Sequence, residues 1–297
     1  MTVASIPDSA EDRIRLDDPN LVVVRYPRAS AGGVAANLAL GIFVALFATP
    51  LLWMVLSSID AHASWSIHLP TLTASNYGAL LHEAELRPLL NSLYLAGLST
   101  VVATVTAVLS AYVLSRRHVP LKRVYLFFIL FASGLPVTMI VVPTYQLFTT
   151  FNWLDSLFWT SLFLAASSLP FAIWLMKNFI DAVPEELEES ATLEGASSLR
   201  ILVRVIVPLT IPGIGVTAIV TFINGWGAFL IPFVLNSDPH DTPGSIAVYN
   251  FLSAFTTPKF GQLAAYSLLF SVPVLGLYLA MARRLSGAFS FGGSLKG

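Results

Sequence analysis

Polar and apolar residues are segregated along this chain into blocks much longer than a helical turn. A largely polar tail of mixed charge fills residues 1–34, and uncharged apolar runs follow at 35–59, 89–115, 124–151, 157–176, 209–235 and 263–282. About 20 apolar residues cross a hydrocarbon core as a helix, so each of the six runs is long enough to span a bilayer, the longer ones with some tilt. Every Lys, Arg, Asp and Glu lies outside them. The third run carries Gly134, Pro136 and Pro143, residue types that kink or locally unwind a helix; a bend there serves either packing or a solute path. The pattern predicts an all-α membrane protein with six transmembrane helices, spanning residues 35–282. The tail lacks the basic start and apolar run of a cleavable leader, residues 21–24 being too short.

Composition narrows the class further. The chain is 56% hydrophobic and 11% charged, whereas a soluble domain carries about 25% charged residues, so part of its solvent is lipid. Lys and Arg near span ends stay on the cytoplasmic side. With six spans, the 1–34 tail, the 116–123 turn, the 177–208 loop and the 283–297 tail share one side and hold 14 of the 16 Lys and Arg. Only Arg87 and Lys259 fall opposite. A cell-membrane protein with both termini in the cytoplasm is predicted. The scattered basic residues do not build a nucleic-acid surface, and the absence of cysteine removes thiolate and iron–sulfur chemistry. His62 and His68, with Asp60 as the one nearby carboxylate, read as surface residues rather than a metal pair.

The 177–208 loop reads as structured. Pro184 suits a first helical turn, and Glu185, Glu186, Glu188 and Glu189 carry the charge favoured at a helix N-terminus. Gly195 supplies a break. Beyond it Leu199, Leu202, Val203 and Ile206 recur at helical spacing, with Arg200 and Arg204 on another face, and Pro208 and Pro212 mark re-entry into the membrane. A helix–Gly–helix element lying under the bilayer is predicted. A lipid-bound amphipathic helix would favour Lys and Arg on its polar face; the Glu-rich start would be repelled by anionic lipid.

This segment, Pro-Glu-Glu-Leu-Glu-Glu-Ser-Ala-Thr-Leu-Glu-Gly-Ala over residues 184–196 and then Ile206 and Pro208, resembles the EAA loop of ATP-binding-cassette importer permeases. The family's Glu-Ala-Ala, Gly and Ile-x-Leu-Pro fall on Glu189, Ser190, Ala191, Gly195, Ile206 and Pro208. Three positions depart: Ser190 for Ala, Glu194 for the Asp before the Gly, and Val207 for Leu. The likeness extends over most of residues 35–297 to the carbohydrate branch, including its maltose-type second permease subunit. It is carried by Asn76-Tyr77, Asn91-Ser92, Ala111-Tyr112 with Arg116, Pro136, Pro143 and Tyr145, Leu169-Pro170-Phe171 and the final Lys296-Gly297. Trp226 stands where many members have Trp-Asn, but Gly227 follows here.

The resemblance implies the type I ABC importer permease fold, with the loop as a cytoplasmic coupling helix-turn-helix. Glu189, Ser190, Ala191, Glu194, Gly195 and Pro208 are then the residues that couple to an ATPase. The implied partners are a second permease subunit in a heterodimer, two copies of a nucleotide-binding ATPase subunit and an extracytoplasmic solute-binding protein. The cargo is a sugar: an oligosaccharide, a disaccharide or a related polyol or glycerol phosphate. No cofactor is expected on this chain. ATP and magnesium are expected on the partner ATPase, and this chain, which lacks a G-x-x-x-x-G-K-[ST] phosphate loop, is not expected to be an enzyme. Within the spans, Asn224, Trp226, Thr138 and Tyr145 are candidates for the substrate pathway. Asn224 adjoins Gly225, Trp226 and Gly227, combining an amide with an aromatic face suited to a sugar; the competing role is an interhelical hydrogen bond. The alternatives are an importer of a non-carbohydrate solute and an ion-coupled carrier, which would place ionisable residues inside the bundle.

Overall fold

The computed structural model describes residues 31–64, 69–253 and 259–292. The expectations placed on residues 1–30, His68 and Lys296-Gly297 lie outside these residues. Two compact units are present, Met1–Leu52 and Trp53–Gly297. The described part of the first belongs to helix α1, Ala31–Ser58, an apolar rod with Pro50 inside it.

The second unit is also built from helices. After α2 (Ser75–Leu80) come the long α3 (Glu83–Arg116), then α4 (Lys122–Ser133), α5 (Val137–Thr150) and α6 (Leu157–Asp181). The 177–208 region holds α7 (Glu186–Leu193), α8 (Ser198–Ile201), a π-helical turn at Leu202–Ile206, and α9 (Val207–Leu209). Then follow α10 (Ile211–Trp226), α11 (Leu230–Leu235), α12 (Gly244–Ser253) and α13 (Phe260–Gly292). Among the described residues, four helices are long and apolar enough to cross a membrane unaided: Ala36–Ser58, Leu86–Arg116, Leu157–Asp181 and Phe260–Met281. Two bent pairs raise the number to six when each counts as one span.

Both bent pairs have local chemical causes. Between α4 and α5 the axis turns by 93°, so the predicted kink is a full break. Pro136 has no N–H to continue a ladder and disfavours helical geometry in the residue before it. Instead it is extended (φ −60°, ψ 131°) and caps α5, while the Ser133 hydroxyl donates to Leu130 O at 2.7 Å. The second pair turns by 80° where α9 meets α10, next to Pro208 and Pro212.

The 209–235 run departs from its prediction as one continuous span. It stops at Trp226, loops through 227–229 and restarts as the short α11. Pro232 falls in the first turn of α11, where a missing N–H costs nothing, and the freed Ala228 carbonyl accepts from Ser245 Oγ at 2.7 Å. A continuous helix would have left that carbonyl opposite a proline.

The core lies where α3 packs between α6 and α10. Small residues line the contact: Ala96, Ala103, Ala107 and Ala111 of α3 and Ala165 and Ala172 of α6 are buried, which lets backbones approach closely. At Gly225 a Cβ would come within 2.7 Å of Ser99 Oγ and 3.0 Å of Ala96 Cα, so only glycine allows α10 this near α3. At one end of the bundle this core receives Ile201, Leu202 and Ile206 from the 177–208 region.

Candidate functional site

The 177–208 region forms a protruding helix–turn–helix with one docked face and one open face. Glu186, Glu188 and Glu189 occupy the first turn of α7, where unsatisfied N–H groups favour negative charge. Pro184 does not start the helix, as expected, but sits just before its N-cap residue Glu185. The helix ends in a Schellman arrangement: Ala196 N donates to Ala191 O at 3.0 Å and Gly195 N to Thr192 O at 2.9 Å. Gly195 has φ +81°, a conformation that costs other residues about 1–2 kcal/mol. That is the physical content of the glycine in the motif.

On the open face of α7, Glu189 and Ser190 are exposed and Leu193 is 90% exposed. Ser190 donates its hydroxyl to Glu186 O, and Ala191 turns inward against the core. Glu194 is exposed at the turn, and Pro208 lies apart from these five, beyond the π-helical turn. The stripe predicted from Leu199, Leu202, Val203 and Ile206 is split: Leu202 and Ile206 are buried with Ile201, whereas Leu199 and Val203 are exposed. The π turn begins at Leu202, so the 3.6-residue period behind that stripe does not continue through Val203 and Ile206.

The docked face is held by residues that the pattern of charges left unremarked. Arg116, the last residue of α3, donates from Nη2 to Ile180 O at 3.0 Å and to Val183 O at 2.7 Å. Its Nε pairs with Glu188, and Tyr112 donates its hydroxyl to the other Glu188 oxygen at 3.1 Å. Beside them, Ser115 and Lys177 both bind Asp181. The sequence offered Tyr112 and Arg116 only as marks of resemblance. Nothing in a run of four glutamates distinguishes Glu188 from its neighbours.

The span candidates divide. Trp226 is turned into the bundle: its Nε1 donates to Phe270 O at 2.9 Å, and its ring stacks on Phe222 and Phe270. Asn224, two residues away, is exposed. The combined amide and aromatic face is therefore not assembled in this conformation. Thr138 and Tyr145 are both exposed on α5, and seven residues of separation place them two turns apart on one side.

At the opposite end of α3, the loop before α12 is fastened by hydrogen bonds. Asn91 donates to His240 O and Thr242 O, Ser92 Oγ accepts from Gly244 N, and Asp155 accepts from the backbone of Ser237 and Asp238. Burial, with Asp238 adding to it, pushes the Asp241 carboxyl above its ordinary range against the pull of Arg87. Asn76 donates to Ser58 O and Asp60 O, so the Asn76-Tyr77 and Asn91-Ser92 pairs are fasteners of these loops. Among the described residues no group of three or more His, Asp or Glu is placed to hold a metal ion.

Comparison with known proteins places this arrangement in context. Residues 100–287 match the family described as binding-protein-dependent transport system inner membrane component. The sulfoquinovosyl glycerol transport system permease protein SmoH of Agrobacterium fabrum is 31% identical over 260 residues, covering 84% of this chain and 88% of that protein. The trehalose transport system permease protein SugB of Mycobacterium tuberculosis is 29% identical over 232 residues, covering 76% and 83%. In structure, a bacterial ABC transporter involved in import of the acidic polysaccharide alginate superposes with a TM-score of 0.76 at 21% identity, over 87% of this chain and 99% of that one. That likeness establishes the fold, an all-helical membrane bundle shared with a chain of that transporter.

Proposed function

The chain belongs to the family of binding-protein-dependent transport system inner membrane components, and from that premise we propose that it is one membrane-spanning half of an ATP-driven carbohydrate importer. The observation that carries the proposal is the protruding α7–Gly195–α8 element, which offers Glu189, Ser190 and Leu193 outward while its other face is held to α3 through Glu188 and packs Ala191 and Ile201 into the core that α3 and α6 share. Such an element is a lever. A cleft on an ATPase subunit receives the open face, with Glu189 meeting a basic group through a charge-assisted hydrogen bond and Leu193 entering an apolar recess. Glu194 and Gly195 set the turn of the lever, Ala191 seats it, and Pro208 marks where it re-enters the membrane.

In this reading ATP and magnesium are held by two copies of the ATPase subunit, and a second permease subunit closes the pathway. A solute-binding protein delivers cargo to the opposite end, where the 236–244 loop is fastened to α3. Both termini lie in the cytoplasm, the side on which 14 of 16 Lys and Arg fall. Carbohydrate cargo is supported by the relatives' names, which specify sulfoquinovosyl glycerol and trehalose. Asn224, Thr138 and Tyr145 are the polar groups this chain offers to sugar hydroxyls.

The test is reconstitution of the complex in liposomes with its solute-binding protein. Glu189→Lys is expected to insert normally but to hold ATP hydrolysis at its unstimulated rate when sugar-loaded binding protein is added. Normal coupled uptake by this variant would contradict the lever assignment. Stimulation by an amino acid or inorganic phosphate, and by no sugar, would contradict the cargo class.

A further inference from the structure

The lever must be joined to the membrane helices firmly enough to transmit displacement, and the structure shows where that joint is. Arg116 is the meeting point of three elements. It closes α3, its Nη2 bonds the Ile180 carbonyl in the last turn of α6 and the Val183 carbonyl in the link that follows, and its Nε pairs with Glu188 in the first turn of α7. Nη1 lies 3.2 Å from Ser115 Oγ and 3.7 Å from a Glu185 oxygen. The guanidinium's fixed fork of five donors is almost fully used. The side chains are largely out of water, 9% exposed for Arg116 and 12% for Glu188, which strengthens charge-assisted bonds relative to surface pairs.

Glu188 is bound on both oxygens by the same helix. Tyr112 stands one turn before Arg116 on α3 and donates to the oxygen that Arg116 Nε leaves. A carboxylate gripped from two successive turns cannot slide along α3 or rotate about one bond. Its neighbour Glu189 points to the open face, so adjacent glutamates serve opposite sides of α7. The other arm of the lever is held differently, by apolar packing of Ile201, Leu202 and Ile206 and an exposed 2.8 Å bond from Arg117 to Ser198 Oγ. It then passes into a π turn and an 80° bend, a soft connection compared with the Arg116 knot.

We infer that Arg116, with Tyr112 and Glu188, is the positioning joint through which displacement of α7 is delivered to α3 and α6 during the transport cycle. The inference rests on the importer reading above. Arg116 touches neither cargo nor nucleotide; it sets how much of the ATPase's movement reaches the helices. Lysine cannot replace it, because a single ammonium cannot serve two carbonyls and a carboxylate in one plane.

The decisive quantity is solute imported per ATP hydrolysed, measured on the full complex in liposomes for Arg116→Lys, Glu188→Gln and Tyr112→Phe. The wild-type complex must first show sugar-dependent uptake; if it hydrolyses ATP without moving sugar, the importer reading fails and not the joint. Given coupled wild type, Arg116→Lys and Glu188→Gln are expected to lower the ratio by about tenfold, with Tyr112→Phe intermediate. Because the chain has no cysteine, an Arg116→Cys/Glu188→Cys pair bridged by a short thiol-reactive linker is expected to regain much of the ratio lost without it. A ratio equal to wild type in Arg116→Lys and Glu188→Gln overturns the inference, even if those complexes melt at lower temperature, since a merely structural bond alters stability and leaves the ratio alone.

Discussion

At the scale of residues, Asn224 and Trp226 show how neighbours in sequence part in space. Trp226 gives its only donor to Phe270 O and stacks between two phenylalanines, so its work is holding α10 to α13. Trp226→Phe keeps the stack and loses the hydrogen bond, with an expected cost of about 1 kcal/mol, read as a lower unfolding midpoint in detergent with the KM for uptake unchanged. Asn224, exposed on the same helix, is expected to behave in the opposite way. Asn224→Ala should raise KM about fivefold, the worth of one hydrogen bond, and leave the midpoint in place. The reverse pattern would return the aromatic face to the pathway and make the amide interhelical glue. What the sequence conveyed at this scale was residue type. Gly195 was legible because a left-handed turn favours glycine, whereas Arg116 and Glu188 were not, since their pairing joins positions 72 residues apart.

Elements were legible in proportion to how far hydropathy alone determines them. The uncharged runs gave α1, α3, α6 and α13 because spanning a bilayer demands about 20 apolar residues. The break at 227–229 is not marked by hydropathy, for Gly-Ala-Phe is as apolar as the helices around it; its one sequence signal is Pro232, which leaves the Ala228 carbonyl without a helical donor until the Ser245 hydroxyl takes it up. The π turn at Leu202–Ile206 was hidden for a related reason, because the apolar period was drawn for an α-helix. The order of elements leads to a prediction about sides. With no native cysteine, single cysteines at His118 and Glu186 are expected to react with an impermeant thiol reagent only from the cytoplasmic face. Cysteines at Asp155 and Asp238 are expected to react only from the outer face. Labelling of His118→Cys and Asp238→Cys from one side would break the six-span topology.

At the scale of the whole molecule, the exposed surface is itself informative. Leu93, Val101, Val105, Leu109 and Val113 of α3 and Val272, Leu275 and Leu279 of α13 are each more than 45% exposed, an apolar periphery that requires lipid or a partner subunit. A soluble monomer would not carry it. The helical bundle presents a protruding helix–turn–helix at one end, fastened loops at the other and polar groups on exposed helix faces between them, the arrangement that the proposed importer would use within an assembly. An importer half is defined by its company, which gentle detergent isolation of this chain from its native membrane, with mass spectrometry of what accompanies it, reads out. An ATPase subunit, a second six-span protein and, with cargo present, a solute-binding protein that binds a sugar are expected to be recovered with it. Reproducible recovery of this chain alone, in a form that still transports, would contradict the importer reading.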